Sequence, residues 1–237
     1  MESLLGKRVF IAGASGGIGA CTAKLLKQSG AELFLAGRNI LRLNTVASDN
    51  GIPLSQTIEM DICDAASVNA AVASVLQSGK IDILVNATGV GVIKSMDNLS
   101  NEDFERTIQT NLIGAFYLVK AVLPGMKEDK KGLIINIPGV LGKVPMAGAA
   151  AYSASKYGLT GMMQSIREEI KRTEIRITNI FLGGVDSAFW DTIDLKVQRE
   201  KMISAEEAGR AIWFLCQQPR SAVVSEMVLQ PFNHQAI

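Results

Sequence analysis

The stretch RVFIAGASGGIG, residues 8–19, joins a short apolar run directly to a glycine-rich turn. Apolar residues Ile18, Leu25 and Leu26 follow with the spacing of one helix face. Glycines let the backbone turn tightly after the strand, and the free N–H groups and dipole of the next helix stabilise a pyrophosphate there. This order of strand, glycine turn and helix predicts dinucleotide binding by Gly13, Ser15, Gly16, Gly17, Ile18 and Gly19.

Short apolar runs and longer helical patterns alternate along the rest of the chain. Strands are predicted at 8–12, 32–36, 57–60, 81–86, 132–137, 175–181 and 227–229, and helices at 17–28, 41–47, 65–77, 102–123, 152–171 and 205–217. Strands separated by helices form parallel sheets, and nearly continuous apolar strands are buried on both faces. The sequence therefore predicts an α/β, Rossmann-like, doubly wound parallel sheet in three α/β/α layers, as a single domain over 1–237.

The charge balance argues against nucleic acid or an anionic membrane as the main partner, since the net charge of the 237 residues is +1. No apolar run is long enough to span a membrane, and we expect a cytoplasmic protein with a small-molecule partner. Cys21, Cys63 and Cys216 lack metal-ligand spacing, so no metal is expected. His234 lies in a polar tail and is expected at the surface.

The end of the second predicted strand bears on cofactor choice. An NAD-preferring fold usually places Asp or Glu there, against the ribose 2′-hydroxyl. The sequence instead reads Gly37-Arg38-Asn39, and Arg38 is suited to the 2′-phosphate of NADP, with Arg42 adding to the field. A solvated charge at a helix start is the alternative interpretation of Arg38. Asp61 and Ile62 end the third strand, where an adenine ring would lie.

Further motifs follow in order: Asp61, the turn Asn86-Ala87-Thr88-Gly89, Asn111, Tyr152-Ser153-Ala154-Ser155-Lys156, and Leu182-Gly183-Gly184-Val185-Asp186-Ser187. Together with the glycine loop they resemble the short-chain dehydrogenase/reductase family over essentially the whole chain. The resemblance implies that Asn86 and Gly89 lie beside the cofactor and that Gly183, Val185 and Ser187 form the turn over its nicotinamide. It also implies that Lys156 holds the nicotinamide ribose and that Asn111 supports a proton-relay water.

The spacing of Tyr152 and Lys156 indicates proton-transfer chemistry independently of the resemblance. Residues four apart on a helix share a face, so the ammonium can lie near the phenol. A free tyrosine has a pKa of about 10, and a nearby cation favours the phenolate, so we expect the pKa of Tyr152 to be lowered. Tyr152 would then donate a proton to a ketone oxygen while NADPH delivers hydride to the carbon.

The chain departs from the family after the fifth strand, where Asn136-Ile137-Pro138-Gly139 replaces the usual Asn-x-Ser-Ser. The serine that polarises the substrate is therefore missing. Loss of one oxyanion donor typically costs about 10²–10³ in turnover. The Gly139 amide, an ordered water and a hydroxyl on the substrate remain open as replacements.

Two segments without clear periodicity, 139–151 and 183–201, are predicted to be substrate loops. Phe189 and Trp190 on the second segment would pack over a substrate or, as we favour, serve ordinary packing.

Two hypotheses on function follow. The first is an NADP(H)-dependent oxidoreductase that interconverts a ketone and a secondary alcohol by hydride transfer. The alternative, motivated by Pro138 and Gly139, is a catalytically weak NADP(H)-binding subunit or redox sensor. Relatives usually assemble through two long helices, here 102–123 and 152–171, so we expect a homodimer or homotetramer. The apolar residues compatible with that interface include Ile113, Phe116, Met162 and Met163.

Overall fold

The computed structural model describes residues 1–233, so the surface position predicted for His234 lies outside the described residues. Within that range seven parallel strands form one sheet in the order β3-β2-β1-β4-β5-β6-β9. The strands are β1 (Arg8–Ala12), β2 (Glu32–Gly37), β3 (Thr57–Glu59), β4 (Ile83–Asn86), β5 (Lys131–Asn136), β6 (Glu174–Leu182) and β9 (Glu226–Leu229). A separate short pair joins β7 (Val185–Asp186) to β8 (Ile203–Ser204).

Seven α-helices of the described chain complete the fold. They are α1 (Gly17–Gln28), α2 (Ile40–Asp49), α3 (Ala65–Leu76), α4 (Asn101–Ile108), α5 (Gly114–Asp129), α6 (Ala150–Ile170) and α7 (Ala205–Cys216).

Both faces of the sheet are buried, because successive side chains of a strand point to opposite faces. Ile11 of β1 belongs to one apolar cluster with residues of α1, α2 and α7, whereas its neighbour Phe10 belongs to a second cluster with residues of α3, α5 and α6. Full burial of such a side chain contributes about 1.5–3 kcal/mol. The predicted three-layer, doubly wound architecture is confirmed.

The predicted helix 102–123 is a composite. It consists of α4, a π-helical turn over Gln109–Ile113, and α5, which continues past Pro124 to Asp129. Leu123 and Met126 on either side of the proline are buried, so core packing outweighs the hydrogen bond that proline removes. The helix ends at Lys130, whose φ of 54° is left-handed. The prediction that the helix stops before Pro124 was wrong.

The strand order positions the site. From β1 the chain winds through β2 and β3 on one side, and then through β4, β5, β6 and β9 on the other. Because the strands are parallel, the loops that follow β1 and β4 meet at one edge on either side of this switch point, which is where open α/β sheets bind ligands. Within residues 1–233 no helix combines the length and the apolar character needed to cross a bilayer.

Candidate active site

The glycine loop after β1 is packed against backbone. Gly13 has a φ of +81°, and a Cβ there would lie 2.6 Å from the Ala87 carbonyl oxygen. A Cβ at Gly19 would lie 2.3 Å from the Gly13 oxygen. No side chain fits at either position, so the loop is held against the start of the turn after β4.

The N-terminus of α1 directly follows this loop. Its N-cap is Gly16, and no side chain within residues 1–233 caps it. By contrast, α7 carries a complete capping box in which Ser204 accepts from the backbone N–H of Glu207. The uncapped start of α1 leaves backbone N–H groups available to an anion, as a pyrophosphate site requires.

Arg38 and Arg42 lie exposed at the end of β2 and the start of α2. Neither forms an ion pair within the part of the chain that the structure describes. Ser15 reaches the same place, because a Cβ at Gly37 would lie 3.5 Å from its Oγ. Asn39 accepts from the N–H of Arg42 and so caps α2 beside them. The end of β2 and the start of α2 therefore carry two exposed arginines, with the Ser15 hydroxyl beside Gly37.

Asp61 and Ile62 play different parts after β3. Asp61 is exposed, and its Oδ1 accepts from the N–H of Cys63, which shapes the turn. Ile62 is buried, and a Cβ at Gly114 would lie 2.7 Å from its Cγ1. Both the side chain and the backbone oxygen of Ile62 therefore lie against the start of α5.

Asn86 supports the turn after β4 from within. Its Oδ1 accepts from both the backbone N–H and the hydroxyl of Thr88, at 3.2 and 2.6 Å. Its Nδ2 donates to Oδ1 of Asn136 on the neighbouring strand at 3.3 Å. Asn86 is thus engaged in holding the turn in shape.

Gly89, Asn111 and Lys156 come together from three elements. A Cβ at Gly89 would lie 3.4 Å from both Asn111 Oδ1 and Lys156 Nζ. The side chain of Asn111 accepts from the N–H of Val90 and donates to the Val90 oxygen and to Ser155 Oγ. Because these bonds engage both the oxygen and the nitrogen of the amide, the Asn111 side chain braces the turn after β4. The π-helical turn around Asn111 interrupts regular helical bonding at that point.

Tyr152 and Lys156 lie one turn apart near the start of α6. Nζ of the buried Lys156 donates to the Ile137 oxygen at 2.9 Å and lies 5.5 Å from the centroid of the half-buried Tyr152 ring. Desolvation by burial lowers the pKa of Lys156 to about 8. Desolvation also raises the pKa of Tyr152 above its ordinary value. Our expectation of a lowered Tyr152 pKa was wrong for the protein alone, because burial of the phenol dominates its ionisation.

Gly139 occupies the position of the missing serine. Its φ is +70°, and a Cβ there would lie 3.4 Å from the Leu182 oxygen and 3.9 Å from the Tyr152 hydroxyl. A side chain thus has room and would approach the phenol, but the backbone conformation opposes it. The Gly139 N–H donates no hydrogen bond to any residue of the described chain.

The segment after β6 connects the two halves of the site. Val185 is buried in the core, and a Cβ at Gly17 would lie 3.1 Å from Ser187 Cβ, so the turn reaches the glycine loop. Gly183 donates to the Leu229 oxygen at 2.8 Å. Farther on, the Phe189 ring packs on Tyr152 with centroids 5.8 Å apart. Sequence reasoning favoured ordinary packing for Phe189, and no local pattern places it beside the tyrosine.

The arrangement is that of a dinucleotide-binding α/β protein in which a half-buried tyrosine and a buried lysine lie together at the switch point. Residues 7–198 match the short chain dehydrogenase family. An uncharacterized oxidoreductase of Staphylococcus epidermidis is 30% identical over 232 residues, which cover 98% of this chain and 100% of the relative. The chain therefore belongs to the short-chain dehydrogenase family of oxidoreductases.

Solved structures are similar over nearly the whole chain. An alcohol dehydrogenase from the archaeon Thermococcus sibiricus, complexed with 5-hydroxy-NADP, matches with a TM-score of 0.87 and 26% identity, covering 98% of this chain and 99% of that one. A metagenomic short-chain oxidoreductase in complex with NADP matches with a TM-score of 0.84 and 28% identity, covering 98% and 100%.

Proposed function

We propose that the protein is an NADP(H)-dependent oxidoreductase that interconverts a ketone and a secondary alcohol by hydride transfer. The observation that carries the proposal is the Tyr152-Lys156 pair, which lies beside Gly89 at the same sheet edge as the uncapped start of α1. This places a proton donor next to a site suited to a dinucleotide.

The choice of NADP(H) over NAD(H) rests on the end of β2. Arg38 follows β2 directly, Arg42 lies in the first turn of α2, and the Ser15 hydroxyl lies beside Gly37. Neither arginine is neutralised by a carboxylate of residues 1–233. Guanidinium groups form strong charge-assisted hydrogen bonds with phosphate, which favours the 2′-phosphate. The two solved structures described above, whose ligands are 5-hydroxy-NADP and NADP, support the same choice.

The mechanism assigns a proton to the phenol oxygen of Tyr152. Burial keeps this phenol protonated at neutral pH, so it is ready to donate to a carbonyl oxygen as negative charge develops there. Lys156, held by the Ile137 oxygen, keeps its ammonium beside the ring and stabilises the phenolate that remains. The nicotinamide, when bound, supplies or accepts the hydride. Because Gly89 has no side chain, it leaves space beside Lys156 Nζ and Asn111 Oδ1 on the side where the cofactor is proposed to bind.

Gly139 replaces the substrate-polarising serine. Of the open replacements, its own N–H is favoured by one observation, since that group donates to nothing within residues 1–233. A backbone donor at a developing oxyanion performs the same electrostatic role as a hydroxyl.

The second candidate function is a catalytically weak NADP(H)-binding subunit or redox sensor. The glycine loop and Arg38 serve this function equally well. Gly139 favours it, because a glycine supplies no hydroxyl to an oxyanion and its left-handed backbone opposes a side chain there. Robust turnover by the purified protein alone would exclude this alternative.

Assembly as a homodimer or homotetramer remains a prediction. Phe116 on α5 is 42% exposed, as an interface residue of a free chain should be, whereas Met163 on α6 is fully buried in the core and is unavailable to a partner. Sedimentation of the purified protein measures the oligomeric state directly.

The test of function is a titration with NADPH and NADH followed by nicotinamide fluorescence, before and after addition of a panel of ketones. We expect tighter binding of NADPH and a ketone-dependent loss of signal. Binding without oxidation favours the weakly catalytic subunit, and no binding of either nucleotide rejects both functions.

A further inference from the structure

Phe189 occupies the approach to Tyr152. The two rings are in direct contact, with centroids 5.8 Å apart and planes inclined by 58°. A ketone whose oxygen reaches the Tyr152 hydroxyl has to place its non-reacting part beside this phenol. The Phe189 ring therefore lies where part of a substrate would pack.

The ring of Phe189 lies in an apolar seat, by which we mean the surface formed by Gly91, Ile193 and Trp190. A Cβ at Gly91 would lie 2.2 Å from Phe189 Cζ and 2.9 Å from Ile193 Cδ1, so the tip of the ring fits into a notch that exists only because residue 91 is glycine. Trp190 meets the ring edge-on with centroids 5.5 Å apart. The surroundings of the ring are thus a backbone notch and hydrophobic side chains.

The backbone that carries Phe189 is anchored on both sides. Arg199 pairs with the carboxylates of Asp186 and Asp191 and donates to the Ser187 oxygen. The indole N–H of Trp190 donates to the Val185 oxygen at 2.9 Å. With the segment fixed in this way, rotation of the Phe189 side chain is the simplest movement that clears the approach to Tyr152.

We infer that Phe189 determines the substrate class: a ketone whose non-reacting side carries an aryl or similarly sized apolar group, which replaces the ring against Gly91 and Tyr152. The inference rests on the proposed function. Because the side chain competes with the substrate for one apolar seat, only the fraction of molecules with the ring displaced is ready to bind. Polar ketones gain nothing from that seat.

The test compares acetophenone with dihydroxyacetone in wild type, Phe189→Ala and a control, Phe214→Ala. Phe214 lies on α7, outside the predicted substrate loops, and is 40% exposed. We expect Phe189→Ala to lower the KM for acetophenone about tenfold, because the competing ring is gone and the competent fraction rises. The KM for dihydroxyacetone and the Kd for NADPH should stay within about twofold in every variant, and Phe214→Ala should match wild type.

A second variant, Gly91→Ala, fills the place that the ring occupies, since the added methyl group overlaps the ring tip. We expect it to raise the KM for acetophenone, because the aryl group of the substrate would meet the same methyl group. The inference is overturned if Phe189→Ala raises that KM or changes both ketones equally, as a purely structural role would.

Binding is also measured without turnover, through quenching of Trp190 fluorescence by acetophenone in a Trp213→Phe background with NADP+ present. If wild type reduces no ketone of the panel, the proposed function fails, yet tighter acetophenone binding by Phe189→Ala still supports an apolar binding position at Phe189. Equal binding by both proteins, or binding by neither, overturns the inference.

Discussion

The loop after β1 and the turn after β5 lie on the same edge of the sheet, and both depend on glycine for different reasons. At Gly13 and Gly19 an added Cβ would meet backbone oxygens at 2.6 and 2.3 Å. At Gly139 the nearest atom would be 3.4 Å away, and only the φ of +70° opposes a side chain. The cofactor side is therefore constrained by space, whereas the catalytic side is constrained by conformation and is more open to substitution.

The largest effect should come from Tyr152→Phe, which removes the proton donor and keeps the ring. We expect turnover to fall about 10³-fold, within the usual contribution of general acid catalysis, while the Kd for NADPH is unchanged. Tyr157→Phe is the matched control, because Tyr157 lies on the same helix and donates to the Lys143 oxygen away from the phenol of Tyr152. Steady-state kinetics and a fluorescence titration measure both quantities. Equal turnover in the two variants would show that Tyr152 is not the proton donor.

Gly139→Ser tests whether the catalytic side accepts the missing donor. The space beside Tyr152 admits a Cβ, and one oxyanion donor is worth about 10²–10³ in turnover. Because the Gly139 N–H is proposed to supply one donor already, the added hydroxyl should give a smaller gain, about tenfold. The left-handed backbone should lower the free energy of unfolding by about 1–2 kcal/mol. Gly139→Ala carries the same strain without the hydroxyl. A gain shared by both variants, or by neither, would mean that the added hydroxyl does not act as an oxyanion donor.

On the cofactor side, Arg38→Ala should weaken NADPH binding about tenfold, since a hydrogen bond to a charged group contributes about 1.5–3 kcal/mol. The Kd for NADH should not change, because that nucleotide lacks the 2′-phosphate. Arg42→Ala should have a smaller effect in the same direction. Parallel titrations decide the matter, and equal losses for both nucleotides would mean that Arg38 acts on something other than the phosphate.

The smallest effect concerns stability. Lys156 has a pKa of 10.5 in its ordinary state and about 8 when folded, so below pH 8 the folded protein bears the cost of a buried charge. Lys156→Met removes that cost but also the bond to Ile137, and we expect a net gain of about 1–2 kcal/mol in the free energy of unfolding at pH 7.

The pH dependence provides the check. Between pH 8 and 10.5 the unfolded lysine binds more protons than the folded one, so wild-type stability rises with pH and the advantage of Lys156→Met shrinks. Urea unfolding at pH 7 and pH 10 measures both differences. A constant difference would mean that the ammonium is not desolvated.

Local signals accounted for the parts of the fold and site that could be predicted. Glycine spacing after β1, apolar periodicity and the four-residue separation of Tyr152 and Lys156 are all readable within one or two elements. The continuation of α5 past Pro124 and the burial of Met163 were not readable, because core packing outweighs helix propensity there. The ionisation of Tyr152 also depends on burial, which the spacing does not report.

The sequence by itself determined the order of strands and helices, the glycine loop and the family to which the chain belongs. Only the tertiary structure decided that Phe189 sits on Gly91 against Tyr152, and that the amide of Asn111 is occupied by Val90 and Ser155. The physical reason is that these contacts join residues far apart in the chain. They depend on how loops close over the sheet edge, and no periodic pattern within a single element encodes that closure.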